Sequence, residues 1–496
     1  MLRSIIGSAL ERYVLSEKFQ QIDSVAAIRN RIDHPIIDGD GHLVEFVPLL
    51  LDFVRECAGP EVARHVRKLT LERDEKRPAS TSWGTPTKNT VDRATSLLPE
   101  LLSQRLDQFG IDFALLYPGV PLIMLGFQDE EIRRAVARAA NMYYAEVFGP
   151  YSDRMVPVAV IPTFTPDEAI EELDYAVGER GLKAVVLEGV ISERGPTGEL
   201  GIRSLGHGSP YDYDPVWERC AALGVVPTFH TPGRGLASRT SRTNYVYNHL
   251  GHFAWAQEAV CRSLIFAGTP RRFPDLPFTF LEGGVSWGCQ LFSDMLSHFE
   301  KRNRSAMSNY DPSNIDVPLM LELFDRYPSD QMQPFRSDFE ATLRPLTGSG
   351  GTVSLDDVDD FKESLITCDS DIIDMFTRQF HFGCEADDPL TSLAFRSDLL
   401  PSGTRMKPIF ASDIGHWDVP DMRHVLEEAW ELVEHGRIDE EQFHEFTCTN
   451  VATMLQSVNP DFFAGTVIEH DLTSLLGDPA GVVPTTHSAT PMRHDD

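Results

Sequence analysis

The sequence predicts a (β/α)8 barrel of the TIM type, an α/β fold in which eight parallel strands are joined by crossover helices. Three observations carry that prediction. Short apolar runs alternate with helix-like stretches, nearly every run ends on an ionisable residue, and no Gly-rich phosphate turn occurs early in the chain. Chemistry gathered at strand carboxyl ends is the habit of such barrels, whereas a doubly wound open sheet would announce itself by the Gly-rich turn.

The first strand is read at Ile36-Ile37-Asp38-Gly39-Asp40-Gly41-His42, where an apolar entry runs into acidic and imidazole groups at every second position. Side chains alternate faces in a strand, so Asp38, Asp40 and His42 are expected to point the same way. Carboxylate oxygen with imidazole nitrogen suits zinc, iron or manganese. The competing reading is a polar strand end with an Asx turn. Further buried strands are expected at 111–117 (IDFALLY), 155–161 (MVPVAVI), 184–187 (AVVL), 225–229 (VVPTF), 278–281 (FTFL) and 408–411 (PIFA). Between them lie helical patterns such as 166–180, opened by Pro-Asp-Glu. Two stretches depart from the basic barrel. Residues 63–99 are polar and rich in Arg, Thr and Pro, and 290–378 hold helix-like runs with a Gly-rich break. Both are read as insertions within one elaborated domain spanning 1–476, serving as lids or as contacts of a homo-oligomer. The tail 477–496 is expected to be disordered and chemically idle.

Composition bounds the function. A net charge of -31 argues against a nucleic-acid surface and for a self-repelling cytoplasmic particle. The seven cysteines are scattered and never spaced as CxxC, so neither a disulfide framework nor a cysteine zinc site is indicated, and a reducing compartment fits. The amino terminus lacks a signal-peptide core, and no run reaches the roughly 18 apolar residues of a membrane span.

His230 closes an apolar strand before Thr231-Pro232-Gly233, Glu282 follows 278–281 and precedes Gly283-Gly284, and Asp413 follows 408–411. Singly, each reads as readily as a satisfied structural group. Four separate strands ending in Asp/His, His, Glu and Asp point together to a shared metal site. A second pattern concerns substrate. From Arg219 to Gln257 there is no Asp or Glu, although 75 of 496 residues are acidic, and this window holds Arg234, Arg239 and Arg242. A local positive funnel would attract a small anionic substrate; the alternative is a solvated loop balancing nearby acids.

These residues resemble the amidohydrolase superfamily of metal-dependent barrel enzymes, in the branch containing aminocarboxymuconate-semialdehyde decarboxylase. The resemblance runs from Asp38 to about Gly465, through the Asp-x-Asp-x-His strand, the FHTPG segment, RFPDL leading into LEGG, and the SD-x-x-H closing element at Ser412-Asp413. It implies that Asp40 and His42 stand at the strand-one ligand positions, His230 at strand five and Asp413 at strand eight. Asp40 replaces the first histidine of the family's His-x-His pair, and Glu282 stands where the decarboxylases have a catalytic histidine. Lys183 precedes its strand, which ends on Glu188, so no bridging lysine is indicated. With His252, or alternatively His249, the set becomes three carboxylates and three imidazoles, a balance that resembles non-haem diiron sites. The long form of the branch, marked by FGCEADDP at 382–389 and SDIGHWD at 412–418, is similar to diiron monooxygenases of antibiotic biosynthesis that hydroxylate diterpenoid coenzyme A thioesters.

The resulting expectation is a non-haem diiron monooxygenase acting on a bulky apolar acyl thioester or acid. Asp40, His42, His230, His252, Glu282 and Asp413 would hold two Fe ions, with O2 as co-substrate and an external electron donor. Glu282 and Asp413 would also be catalytic, and Arg234, Arg239 and Arg242 would bind substrate. The alternative is a metal-dependent hydrolase or non-oxidative decarboxylase using Zn or Mn, in which Glu282 or Asp413 handles the proton. A catalytically dead binding scaffold is a third reading, disfavoured because a relic has no reason to keep ionisable residues at so many strand ends.

Overall fold

The computed structural model describes residues 23–71, 86–194, 200–230, 241, 243–327, 329–339 and 358–477. Within them the apolar runs form an eight-stranded parallel sheet: β1 (Ile37–His42), β2 (Phe113–Tyr117), β3 (Met155–Ile161), β4 (Ala184–Leu187), β7 (Pro227–Phe229), β8 (Phe278–Phe280), β9 (Phe380–Glu385) and β10 (Lys407–Ala411). Neighbours pair in parallel in chain order, from β1–β2 to β9–β10. The sheet curls until β10 returns to β1, where the His42 N–H donates to Ile414 O (2.9 Å) and the Asp413 N–H to Asp40 O (3.1 Å). This is the (β/α)8 barrel that the alternation predicted. The strands are short and almost wholly buried, because helices cover the outside and side chains fill the inside.

Helix boundaries follow local chemistry. Pro166 opens Pro166–Leu173 behind a capping box in which Thr165 and Glu168 exchange side-chain-to-backbone hydrogen bonds. Pro99–Phe109 and Asp214–Leu223 each end at a glycine in the left-handed conformation, Gly110 and Gly224.

The structure adds two elements to the sequence reading. The seventh barrel strand, β9, is built from FHFGCE, and a two-stranded antiparallel hairpin, β5 (Val190–Arg194) with β6 (Leu200–Ser204), follows β4 outside the barrel. Of the expected insertions, residues 63–70 form the end of the helix Val47–Thr70, with Ala63 and Val66 buried in the core. Residues 290–302 likewise belong to the crossover helix Ser286–Arg302, so the second excursion starts later, at the 3-10 turns and the helix Val317–Arg326, which buries none of its residues. The tail lies outside the described residues from 478 onward. No described helix is long and apolar enough to cross a membrane.

Candidate metal centre

The carboxyl ends of β1, β7, β8 and β10 converge at one mouth of the barrel. β1 supplies Asp40 and His42, β7 hands over to His230, β8 is followed by Glu282 after Leu281, and β10 by Asp413 after Ser412. All five are buried. Their ligand atoms fall into two overlapping groups, each within 4.8 Å: Asp40 with His42 and His230, and His42 with Glu282, Asp413 and His416. His42 belongs to both. Its Nε2 lies 3.7 Å from Asp40 Oδ1 and 3.1 Å from Asp413 Oδ1. His230 Nε2 lies 2.8 Å from Glu282 Oε2 and 3.7 Å from Asp40 Oδ1.

His416 was not among the expected ligands. It sits on the loop after β10, with Nδ1 2.6 Å from Asp413 Oδ1 and 3.7 Å from Glu282 Oε1. The backbone explains the placement. Asp413 (φ 51°) and Gly415 (φ 97°) both take left-handed conformations, which fold the loop back over the strand ends. Glu282 (φ 55°) does the same after β8. Among described residues, only Leu365 and Ser402 share this conformation without being glycine, so two of the four strained positions lie in the cluster.

Asp38 behaves differently from the expectation of a third side chain facing the cluster. The β1–β2 register shifts between Asp38 and Gly41, and the Asp38 carboxylate turns to β10, accepting from Ser412 Oγ (2.5 Å), the Ser412 N–H (3.0 Å) and the Asp40 N–H (3.2 Å).

Burial and mutual charge set the electrostatics of the cluster. Burial pushes the Asp40 carboxyl well above its ordinary range, His230 counteracts, and Glu282 and Asp413 push further upward. Burial and the nearby His416 and His230 hold His42 well below the usual imidazole range. Burial pulls His230 down, but Asp40 and Glu282 outweigh it and raise it to about 9. Glu282 is held well below the carboxylate range by His230 and His416 against its burial. Both oxygens of Asp40 and Asp413, both ring nitrogens of His42 and His230, and Glu282 Oε2 are buried and make no hydrogen bond. Buried polar atoms normally find partners. Oxygen and imidazole donors left free in a cluster of this size fit a hard or borderline divalent ion.

The other expected residues fall elsewhere. His252 is buried at the start of the helix His252–Phe266, its ring 4.6 Å from His249 and 3.9 Å from Phe253, and neither histidine belongs to the two groups. His249 Nε2 instead accepts from the Trp417 indole at 3.3 Å. Arg234, Arg239 and Arg242 lie outside the described residues. Glu45 is a structural group, accepting from the Gly119 and Val120 amides and from Tyr144 Oη. Two carboxyls flank the cluster: Glu188 at the end of β4, pushed up to about 8 by burial against the opposing effect of His230, and Glu385 at the end of β9, pushed up to about 10 by burial and by Asp413 and Glu282. Glu385 would have been found by the strand-end rule had FHFGCE been read as a strand.

Comparison with known proteins gives the same frame. Residues 37–332 match the family model described as Amidohydrolase. No curated protein matches the sequence. Among solved structures, an amidohydrolase from Mycobacterium avium subsp. paratuberculosis is 17% identical with a TM-score of 0.51, covering 86% of this chain and 100% of its own. The 2,6-dihydroxybenzoate decarboxylase from Rhizobium is 16% identical at 0.45, covering 85% and 99%. A dihydroxybenzoic acid decarboxylase from Polaromonas, solved with bound manganese, is 15% identical at 0.47, covering 85% and 97%. The likeness to the first of these, at 17% identity, is one of fold.

Proposed function

The chain belongs to the amidohydrolase family, and from that premise we propose that it is a metal-dependent hydrolase or non-oxidative decarboxylase, cleaving a small anionic substrate without a redox step. The observation that carries this reading is the convergence of six ionisable side chains at four strand ends in two overlapping groups, five of them buried with atoms that make no hydrogen bond. Asp40, His42, His230 and Asp413 would hold the ion, with Glu282 completing the set and His416 beside it. Manganese and zinc both accept this mixture of carboxylate and imidazole. A divalent ion held there supplies Lewis acidity, polarising a carbonyl or carboxylate of the substrate.

The chain's own groups would manage the protons. Glu282 and Asp413 present carboxylate oxygens to the cluster, and His416, raised by Asp413 and Glu282 against its burial, is a proton source beside them. Glu385, kept neutral by burial, is a second acid at the same mouth. Arg234, Arg239 and Arg242, in the window without acids, would draw in the substrate's negative charge.

A second reading is favoured by one specific observation: the ligand atoms form two overlapping sets that share His42, room for two ions rather than one. With two irons, O2 and an external electron donor, the same cluster would serve a diiron monooxygenase acting on a bulky apolar acyl thioester. One experiment separates the two. The full chain is stripped, reloaded separately with manganese, zinc or iron, and assayed against carboxylic acids, amides and esters under nitrogen and under air. Turnover under nitrogen with manganese or zinc supports the first reading. Turnover only with about two irons per chain, in air and with a reductant, replaces it by the second.

A further inference from the structure

The ligand pairs Asp40–His42 and Asp413–His416 sit on opposite sides of one seam, between β1 and β10. These two strands end the sheet order, and among the described residues no ladder joins them. One side chain bridges the gap. Asp38, wholly buried, accepts the Ser412 hydroxyl on Oδ2 and the Ser412 amide on Oδ1, while the amide of its own ligand neighbour Asp40 also donates to Oδ1. The connection continues: Ser412 Oγ accepts from the Ile414 N–H (3.3 Å), and Ile414 O accepts from the His42 N–H (2.9 Å). Space has been left for the carboxylate, because a Cβ at Gly41 would overlap Asp38 Oδ2.

We propose that Asp38 is a positioning residue for the metal centre, clamping β10 to β1 and so fixing the distance between the ligands on either side of the seam. The proposal rests on the reading of the cluster as a metal site. Groups one bond removed from the ligands commonly set metal affinity by orienting what does touch the ion. Asp38 does so through the main chain, since two of its three donors are the Ser412 and Asp40 amides. In Asp38→Asn one acceptor oxygen becomes a donating NH2, so either a main-chain amide loses its acceptor or the short Ser412 hydroxyl bond reverses and loses its charge assistance.

The test is calorimetric titration of the metal-stripped full chain with manganese or zinc, alongside far-UV circular dichroism and thermal melting of the metal-free form. Asp38→Asn should bind about 10- to 100-fold more weakly than wild type with its fold retained. Ser412→Ala and Gly41→Ala, which leave Asp38 itself in place, should weaken binding in the same direction. A role in stability alone would lower the metal-free melting temperature and leave affinity untouched, and that result overturns the proposal. If Asp38→Asn does not fold, Ser412→Ala decides: unchanged affinity there overturns the clamp. A wild-type chain that takes up no ion removes the metal reading and the clamp with it, whereas a binding wild type and an equally tight Asp38→Asn remove only the clamp.

Discussion

His416 lies flat on His42, with ring centroids 3.6 Å apart and planes 19° from parallel. Two imidazoles this close cannot both carry a proton cheaply, and the surroundings separate them. His42 is driven towards the neutral form and His416 towards the charged one. His42 therefore offers a free lone pair to both ligand groups, while His416 serves only the second. The three histidines should separate in a metal-content assay. His42→Ala removes a shared ligand and should lose essentially all metal. His416→Ala leaves Asp40, His42 and His230 intact and should retain an ion at reduced affinity or stoichiometry. Equal metal content in the two variants would contradict the shared role of His42.

His230→Ala tests the first group. The imidazole stands just beyond β7 and contributes to the mouth of the barrel rather than to its packed layers, so the fold should survive while metal and activity are lost. The expected fall in affinity exceeds the ~10- to 100-fold typical of losing an outer partner. Normal metal content with normal circular dichroism would remove His230 from the site.

Much of this centre was legible because strand ends are a strong positional signal. Apolar runs of four to seven residues located β2, β3, β4, β7, β8 and β10, and the next ionisable residue then marked His230, Glu282 and Asp413. The strand β9 escaped because His381 and Gly383 interrupt its apolar run, although all but its last residue are buried. His416 escaped for a different reason. In the sequence it is only the end of the SD-x-x-H element, and its approach to the cluster depends on left-handed backbone at Asp413 and Gly415, a tertiary outcome. Strict alternation also misplaced Asp38, since the register shift inside β1 sends its side chain to β10.

Glu282→His separates the two chemical readings. Glu282 reaches His230 at 2.8 Å and adopts φ 55°, so a histidine there would occupy the same turn but bring no negative charge. In the heterolytic reading, Asp40, His42, His230 and Asp413 still hold an ion, and partial activity should persist. In the diiron reading, the loss of one of three carboxylates should empty one position and abolish oxygen-dependent product. The readout is metal stoichiometry paired with activity under nitrogen and air.

The metal-free protein should lose stability between pH 7 and pH 9. Burial pushes Glu188 up to about 8, burial with Asp413 and Glu282 pushes Glu385 up to about 10, and His230 is held at about 9 by Asp40 and Glu282 against its burial. Each group keeps its proton longer folded than unfolded, so its contribution is full below the unfolded pKa and disappears as pH rises through the folded one. His34, lowered to about 4 by burial and His444, and His381, lowered to about 3 by burial and Lys407, act in the opposite direction, but only below about pH 7. Metal uptake must expel the proton that Asp40 and Glu282 hold on His230 up to about 9, so affinity should strengthen over the same range. Melting curves with and without metal at pH 6, 7, 8 and 9 should therefore diverge. A metal-free melting temperature that is flat or rising from pH 7 to 9 would refute this account.

Away from the cluster, the costliest single polar deletion is expected at Asp92. Its Oδ1 accepts from Arg105 Nη1 at 2.7 Å and its Oδ2 from the Met422 N–H at 2.8 Å, tying the segment before the helix Pro99–Phe109 to the turn beyond β10. Arg105 is 1% exposed, and its guanidinium also donates to Thr95 and Gln108. Asp92→Ala would break this buried ion pair and remove the acceptor of the Met422 N–H, a change that costs about 3–5 kcal/mol. Replacing both residues by apolar ones of similar volume should recover much of that loss, because the pair's desolvation is relieved together. Chemical denaturation of the two variants checks the argument: a double variant as unstable as Asp92→Ala would show that packing, rather than the broken ion pair, sets the cost.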